Sequence, residues 1–278
     1  MKRLFDELSY AMSEATTKKY STSFSLGILA LHPSIRSAIY AIYGYVRLAD
    51  EIVDSFHDFD KPALLEQFKI QTNQAIEVGI SLNPILNSFQ ATVNQFGIDR
   101  KLIDQFLQSM KMDLTQMEYD DSLYQEYIFG SAEVVGLMCL QVFVNGNKTT
   151  YESLKPFAMK LGSAFQKVNF LRDVKNDYQL LGRTYFPNIE IGAFTNEMKS
   201  MIEKEIENEF KEALSGIKKL PASSRFGVHL AYKYYWTLFM KIKNTPVESI
   251  MGKRIRIPNG QKISLAMASY VQCRLALL

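Results

Sequence analysis

Apolar residues recur every three to four positions through nearly every periodic window of this chain, and β-branched alternation over strand lengths is missing, so the pattern predicts an all-α protein. The predicted helices run over 4–16, 33–56, 61–79, 84–96, 99–112, 121–145, 148–180, 195–218, 222–244 and 258–277. Punctuation sets their ends. Pro33 behind His32 and Pro84 behind Asn83 open helices, Gly97 closes one, and Asn145-Gly146-Asn147 makes a turn. The longest mid-chain interruption, Gly182 to Gly192, contains Pro187 together with Tyr185 and Phe186 and reads as a loop at the rim of a site no less than as a domain linker. Neither a solenoid-period repeat nor a low-complexity tract divides the chain, so one helical domain over 1–278 is the simplest organisation.

Two polar stripes cross this apolar background: Tyr43, Arg47, Asp50 and Asp54, and then Gln166, Asn169, Asp173 and Asp177. Steps of three and four residues keep each set on one helical face, so each stripe aims two carboxylates at one place. Leu48, Ala49, Ile52 and Val53 surround the first pair, and Phe165, Val168, Phe170, Leu171 and Val174 the second. Carboxylates on helices buried on most sides need a positive partner or a cation. Arg47 and Arg172 offer simple ion pairs. Magnesium suits the pattern better, because it binds through one or two carboxylates plus waters and substrate phosphates, and Asn169 adds a neutral oxygen. Two such helices facing each other would clamp a diphosphate between metal ions, with Arg47 and Arg172 on its outer oxygens. The chemistry this suggests is ionisation of an allylic diphosphate. Phe24, Tyr40, Tyr43, Tyr127, Phe165, Phe170 and Tyr235 supply aromatic walls to keep water from the carbocation.

Composition narrows the alternatives. The 278 residues are 47% hydrophobic and 22% charged, which suits a folded globular chain, and a net charge of +3 without a polybasic tail argues against nucleic-acid binding. His32, His57 and His229 are scattered, which disfavours zinc, and neither a phosphate-binding loop nor a dinucleotide fingerprint is present. Cys139 and Cys273 lie in apolar stretches and read as reduced core thiols. Met1, Lys2 and Arg3 lead straight into an amphipathic helix, and no apolar stretch is expected to reach the roughly 18 residues of a membrane span, so a cytoplasmic location is expected. The basic cluster Lys241, Lys243, Lys253, Arg254, Arg256 and Lys262 reads first as solvated surface with Arg254 near the site, and second as a peripheral contact for an anionic membrane.

The segments YAIYGYVRLADEIVD (40–54) and QKVNFLRDVKNDYQLLGRTYFP (166–187) resemble the two signature regions of the phytoene and squalene synthase family. Members carry Asp-x-x-x-Asp on each of two helices, the first preceded by Arg, the second opened by Asn-x-Leu-Arg-Asp and followed by Gly-Arg-x-Tyr. The Asp-Asp-x-x-Asp pattern of chain-elongating prenyl transferases is absent. Ser21 to Phe24, Met112-Asp113-Leu114, Tyr127 to Gly136, Tyr235 and Arg254 extend the resemblance over most of the chain. Thr22 stands where lysine is frequent in the family, and Glu133 where glycine is usual.

The resemblance implies an all-α isoprenoid synthase bundle with a central cavity, and head-to-head condensation of two prenyl diphosphates through a cyclopropylcarbinyl diphosphate. It implies that Asp50, Asp54, Asn169, Asp173 and Asp177 hold magnesium, with manganese as a substitute. Arg47, Arg172, Ser21, Ser23 and Gln166 would contact diphosphate, Phe24, Arg183 and Arg254 would complete the substrate site, and Tyr43, Tyr127 and Tyr235 would shape the cation's surroundings. A phytoene synthase using geranylgeranyl diphosphate without NADPH is the leading expectation. A dehydrosqualene or squalene synthase using farnesyl diphosphate, the latter with NADPH, is the alternative. A non-catalytic relative acting as an assembly factor would have decayed carboxylates, and these are intact.

Overall fold

The computed structural model describes residues 2–115, 118–181, 185–187, 194–252 and 254–274, with side chains for all of these except 176–181, 259, 263 and 270–274. Among them the chain is helical throughout: α1 (Lys2–Tyr20), α2 (Thr22–Leu29), α3 (Pro33–Asp54), α4 (Lys61–Val78), α5 (Pro84–Phe96), α6 (Arg100–Thr115), α7 (Asp121–Ile128), a π-helical turn (Phe129–Glu133), α8 (Val134–Phe143), α9 (Lys148–Leu181), α10 (Asn196–Ile217), α11 (Ala222–Lys243), α12 (Val247–Ile250) and α13 (Asn259–Arg274). All ten expected helices are present. The expected 121–145 helix is interrupted by the π turn, the first helix is longer than 4–16, and α2 and α12 were not expected.

Local chemistry explains the ends. His32, Asp60 and Asn83 cap α3, α4 and α5 ahead of prolines at their first turns, and Gly79 and Gly97 end α4 and α5 in left-handed backbone at φ 78° and 65°. Ser21, extended at φ −144°, separates α1 from α2 and accepts a hydrogen bond from the Phe24 backbone N–H at 3.2 Å. The α2 helix opens within the largely polar stretch Lys18 to Ser23 and makes only about two turns, too few for a periodic signal, which is why the pattern alone missed it.

The α1 helix packs through small hydroxyls, not through its leucines. Ser9, Ser13 and Thr17 are buried, Ser13 shares a 2.7 Å hydrogen bond with Ser88 of α5 and sits against Gly44 of α3, and Leu4, Leu8 and Met12 face solvent. Two apolar clusters flank the centre. One gathers α3 to α6 around Tyr45, whose ring stacks on Phe89 with centroids 3.7 Å apart; the other gathers α7 and α9 to α12 around Phe170, Phe210 and Phe239.

Contrary to expectation, Asp121–Phe143 is long and apolar enough by length and composition to cross a membrane. It is a core helix of this fold: Tyr127, Ile128, Val134, Leu137, Met138, Leu140 and Val142 are buried within it. Its π turn lies against α6, where a Cβ added to Gly130 would stand 2.7 Å from the Gln105 carbonyl oxygen and 2.8 Å from Ser109 Cβ. Gly130→Ala is therefore expected to force two helices apart and lower stability by about 1–3 kcal/mol, read as a falling midpoint in urea at unchanged slope.

Candidate active site

A cavity of about 580 Å³ lies between α2, α3, α8, α9, α10 and α11. Its rim is polar and its depth apolar, because the lining face of each long helix changes character along its length. On α3 the face runs from Ile39 and Ile42 through Tyr43 and Val46 to Arg47, Asp50 and Asp54; on α9 it runs from Leu154 and Ala158 through Gly162 and Phe165 to Gln166, Asn169 and Asp173. The two stripes therefore meet at one mouth, a pairing that the spacing within each helix did not itself dictate. The side chains of Asp177 and Cys273, and the whole of Arg183 and Lys253, lie outside what the structure describes.

The first stripe is crowded with negative charge. Burial, and then the charge of Asp54, push the Asp50 carboxyl up to about 7. Arg47 opposes this, without reversing it. It stands 3.9 Å from Asp50, but its guanidinium pairs with Glu51 and lies over the Tyr20 ring, 4.3 Å from the centroid. The second stripe is arranged differently: Arg254 Nε meets Asp173 at 2.7 Å and Arg172 Nε donates to the same carboxylate at 3.1 Å, so the ion-pair reading describes Asp173 well. Behind it the Tyr235 hydroxyl donates to Asn169 Oδ1 at 3.3 Å, and Asn169 Nδ2 donates to Gln166 Oε1 at 3.4 Å.

The walls are aromatic. Phe165 stacks on Tyr235 at 3.9 Å between centroids, Phe170 stacks on Tyr185 at 4.3 Å, and Phe24 lies 5.5 Å from Tyr43. Burial holds the Tyr43 hydroxyl up to about 12, so it stays neutral. The hydroxyls of Tyr127 and Tyr185 donate to the two oxygens of Asp113, at 2.8 and 3.1 Å. Asp113 is a cavity residue missing from the expected site, although the 112–114 block drew attention to it; Tyr20 and Tyr185 were likewise not among the expected site residues.

Some expected residues stand elsewhere. Tyr40 is buried beside the cavity without lining it, its hydroxyl feeling Glu14, Lys18 and Arg36. Ser21 lines the mouth, but Ser23 does not. Glu133 also turns away from the cavity; burial and then Glu209 push its carboxyl up to about 7. The basic cluster is largely engaged: Lys243 pairs with Glu207 at 2.6 Å, Arg254 with Asp173, and Lys262 donates to Thr22 Oγ1 at 2.6 Å. That last contact brings an ammonium to the position where the resemblance leads one to expect a lysine. Cys139 lines the cavity as a free thiol held up to about 12 by burial.

Among the described residues no three acidic, histidine or cysteine side chains converge closely enough to hold a metal by themselves. The donor set fits a hard ion that takes one or two protein carboxylates per site and completes its shell with water and phosphate oxygens. The raised Asp50 carboxyl marks where such a cation would be stabilising.

Fold and site together define an all-α protein of the isoprenoid synthase kind. A dehydrosqualene synthase structure superposes with a TM-score of 0.81 at 20% identity, covering 97% of this chain and 98% of that one. Squalene synthase HpnC from Alicyclobacillus acidocaldarius gives 0.74 at 18% identity, over 84% and 93%. The squalene/phytoene synthase family model matches residues 17–261, and the chain belongs to that family. Among curated relatives, phytoene synthase 1 of Solanum lycopersicum chloroplasts is 28% identical over 274 residues, 91% of this chain, and phytoene synthase of Daucus carota is 29% identical over 271 residues. The chain spans 66% of the length of the Solanum lycopersicum relative.

Proposed function

We propose that this protein condenses two molecules of geranylgeranyl diphosphate head to head into phytoene, through a cyclopropylcarbinyl diphosphate and without NADPH. One observation carries the proposal: two carboxylate-bearing helices, α3 and α9, meet at the mouth of a deep apolar cavity with aromatic walls. The phytoene synthases among its relatives support the twenty-carbon substrate.

Magnesium, held by Asp50 and Asp54 on one side and Asn169 and Asp173 on the other, would supply charge neutralisation for the departing diphosphate. Arg47, Arg172 and Arg254 stand at the same mouth to bind its outer oxygens. Phe165 and Tyr235 present their stacked rings, and Phe24 and Tyr43 theirs, where cationic carbon develops, which stabilises it and keeps water away. By accepting from both Tyr127 and Tyr185, Asp113 holds those hydroxyls in fixed orientation against the wall.

The test is incubation of the purified protein with magnesium and equal farnesyl and geranylgeranyl diphosphate, with and without NADPH, followed by mass spectrometry of the hydrocarbons. A forty-carbon product without NADPH is expected. A thirty-carbon product would reassign the protein to farnesyl diphosphate, and no hydrocarbon would overturn the proposal.

A further inference from the structure

The deep end of the cavity is lined by Leu154 and Phe157 of α9, by Ile217 at the end of α10 and by Leu220 just beyond it. Phe157 on α9 lines the cavity, yet is only half-buried, and Lys219 Nζ stands 5.0 Å from its ring centroid. It lies sixteen residues before Asp173, so it sits about 24 Å down the helix from the diphosphate end. Between these levels α9 and α10 offer small side chains, Gly162, Ala158 and Ala213, which leave room for an extended chain. The position of the ring depends on Gly216 of α10: a Cβ there would stand 2.2 Å from Phe157 Cβ and 2.6 Å from its Cγ. Pro156, inside α9 and immediately before Phe157, removes a backbone donor from the turn that carries the ring.

We propose that Phe157, seated on Gly216, is a specificity-determining part of the cavity floor: the distal end of a prenyl chain abuts its ring, and the ring's size and position limit the chain accepted. This rests on the prenyl diphosphate function proposed above and assigns Phe157 a part in its length limit. Truncating the ring opens the cavity toward Lys219. Enlarging it, or adding a methyl at position 216 that drives it inward, shortens the cavity.

The experiment compares the wild type with Phe157→Ala, Phe157→Trp and Gly216→Ala, each first checked for an unchanged helical spectrum and cooperative melting. Binding of farnesyl, geranylgeranyl and geranylfarnesyl thiolodiphosphates, which do not ionise, is measured by calorimetry with magnesium, and turnover is measured with the corresponding diphosphates. Phe157→Ala is expected to raise the affinity ratio of the twenty-five-carbon to the twenty-carbon probe by about tenfold or more, the burial of one further isoprene unit. Phe157→Trp and Gly216→Ala are expected to lower the ratio of the twenty-carbon to the fifteen-carbon probe by a similar factor. Ratios within about twofold of wild type in every folded variant would overturn the proposal. A wild type that binds the probes but makes no hydrocarbon would overturn the condensation alone, with the floor still decided by the affinity ratios. A wild type that binds none of the probes would overturn both.

Discussion

Replacing Asp50 by asparagine is expected to abolish hydrocarbon formation while making the metal-free protein more stable at neutral pH. Loss of a carboxylate at the diphosphate mouth removes electrostatic stabilisation that acts only as the leaving group departs, and a fall of at least about a thousandfold in turnover is expected. The stability gain has a separate cause. In the folded state burial and Asp54 hold the Asp50 carboxyl up to about 7, whereas in the unfolded chain it ionises near the ordinary value of 3.8. Between those two pH values the folded protein binds a proton that the unfolded chain has released, so stability from this group is present at low pH and is lost as pH rises toward 7. Glu133, also held up to about 7 by burial and then Glu209, adds to the slope in the same direction. With 32% of the Asp50 side chain exposed, solvent reduces the effect, and a gain of about 1–3 kcal/mol is expected for Asp50→Asn at pH 8 in chelator. Urea unfolding at pH 5 and pH 8 measures it, and magnesium should stabilise the wild type more than the variant. An Asp50→Asn protein that kept near-normal turnover, or that unfolded more easily at pH 8, would contradict this account of the mouth.

Lys167→Ala should lower stability by roughly 3–5 kcal/mol, the usual cost of breaking a buried ion pair from one side. Lys167 is 1% exposed, and its ammonium meets Glu209 Oε1 at 2.8 Å and also Glu205. Ser163 donates to the same Glu209 oxygen at 2.9 Å, with Lys160 at 3.7 Å. Glu209 Oε2 is buried without a hydrogen-bond partner among the described residues, so removal of Lys167 leaves a carboxylate with little to offset its desolvation. This network joins α9 to α10 on the side of α9 away from the cavity. The double variant Lys167→Met with Glu209→Gln, which removes both charges at similar volume, should recover most of the loss, and its product spectrum should match the wild type. Denaturant unfolding of the two variants provides the check.

The site was legible where its residues share a helix. Asp50 and Asp54, or Asn169 and Asp173, announce themselves by spacing, because 3.6-residue periodicity converts sequence distance into a common face. The same rule misplaces Tyr40: it lies in the first motif, three residues before the lining Tyr43, but on the face turned away from the cavity. Contacts made by folding alone had no such signal. Tyr185 reaches Asp113 across 72 positions, and Lys262 reaches Thr22 across 240. Helix existence read well from apolar periodicity and capping residues, whereas α2, apolar on most of its faces, and the π turn within 121–143 did not, since neither changes the count of apolar positions that a pattern reads. The buried seam of α1 was hidden for the opposite reason: its packing residues are serines and a threonine, and its leucines are outside.

Joint action of the two stripes in ionising prenyl diphosphates for carbon–carbon bond formation fixes a product stoichiometry. Its most direct test is the ratio of inorganic pyrophosphate released to hydrocarbon formed when the protein turns over geranylgeranyl diphosphate with magnesium. Two pyrophosphates for each forty-carbon hydrocarbon are expected, with both products lost together in Asp50→Asn and Asp173→Asn. Pyrophosphate release without hydrocarbon, or hydrocarbon formation that survives either substitution, would contradict it.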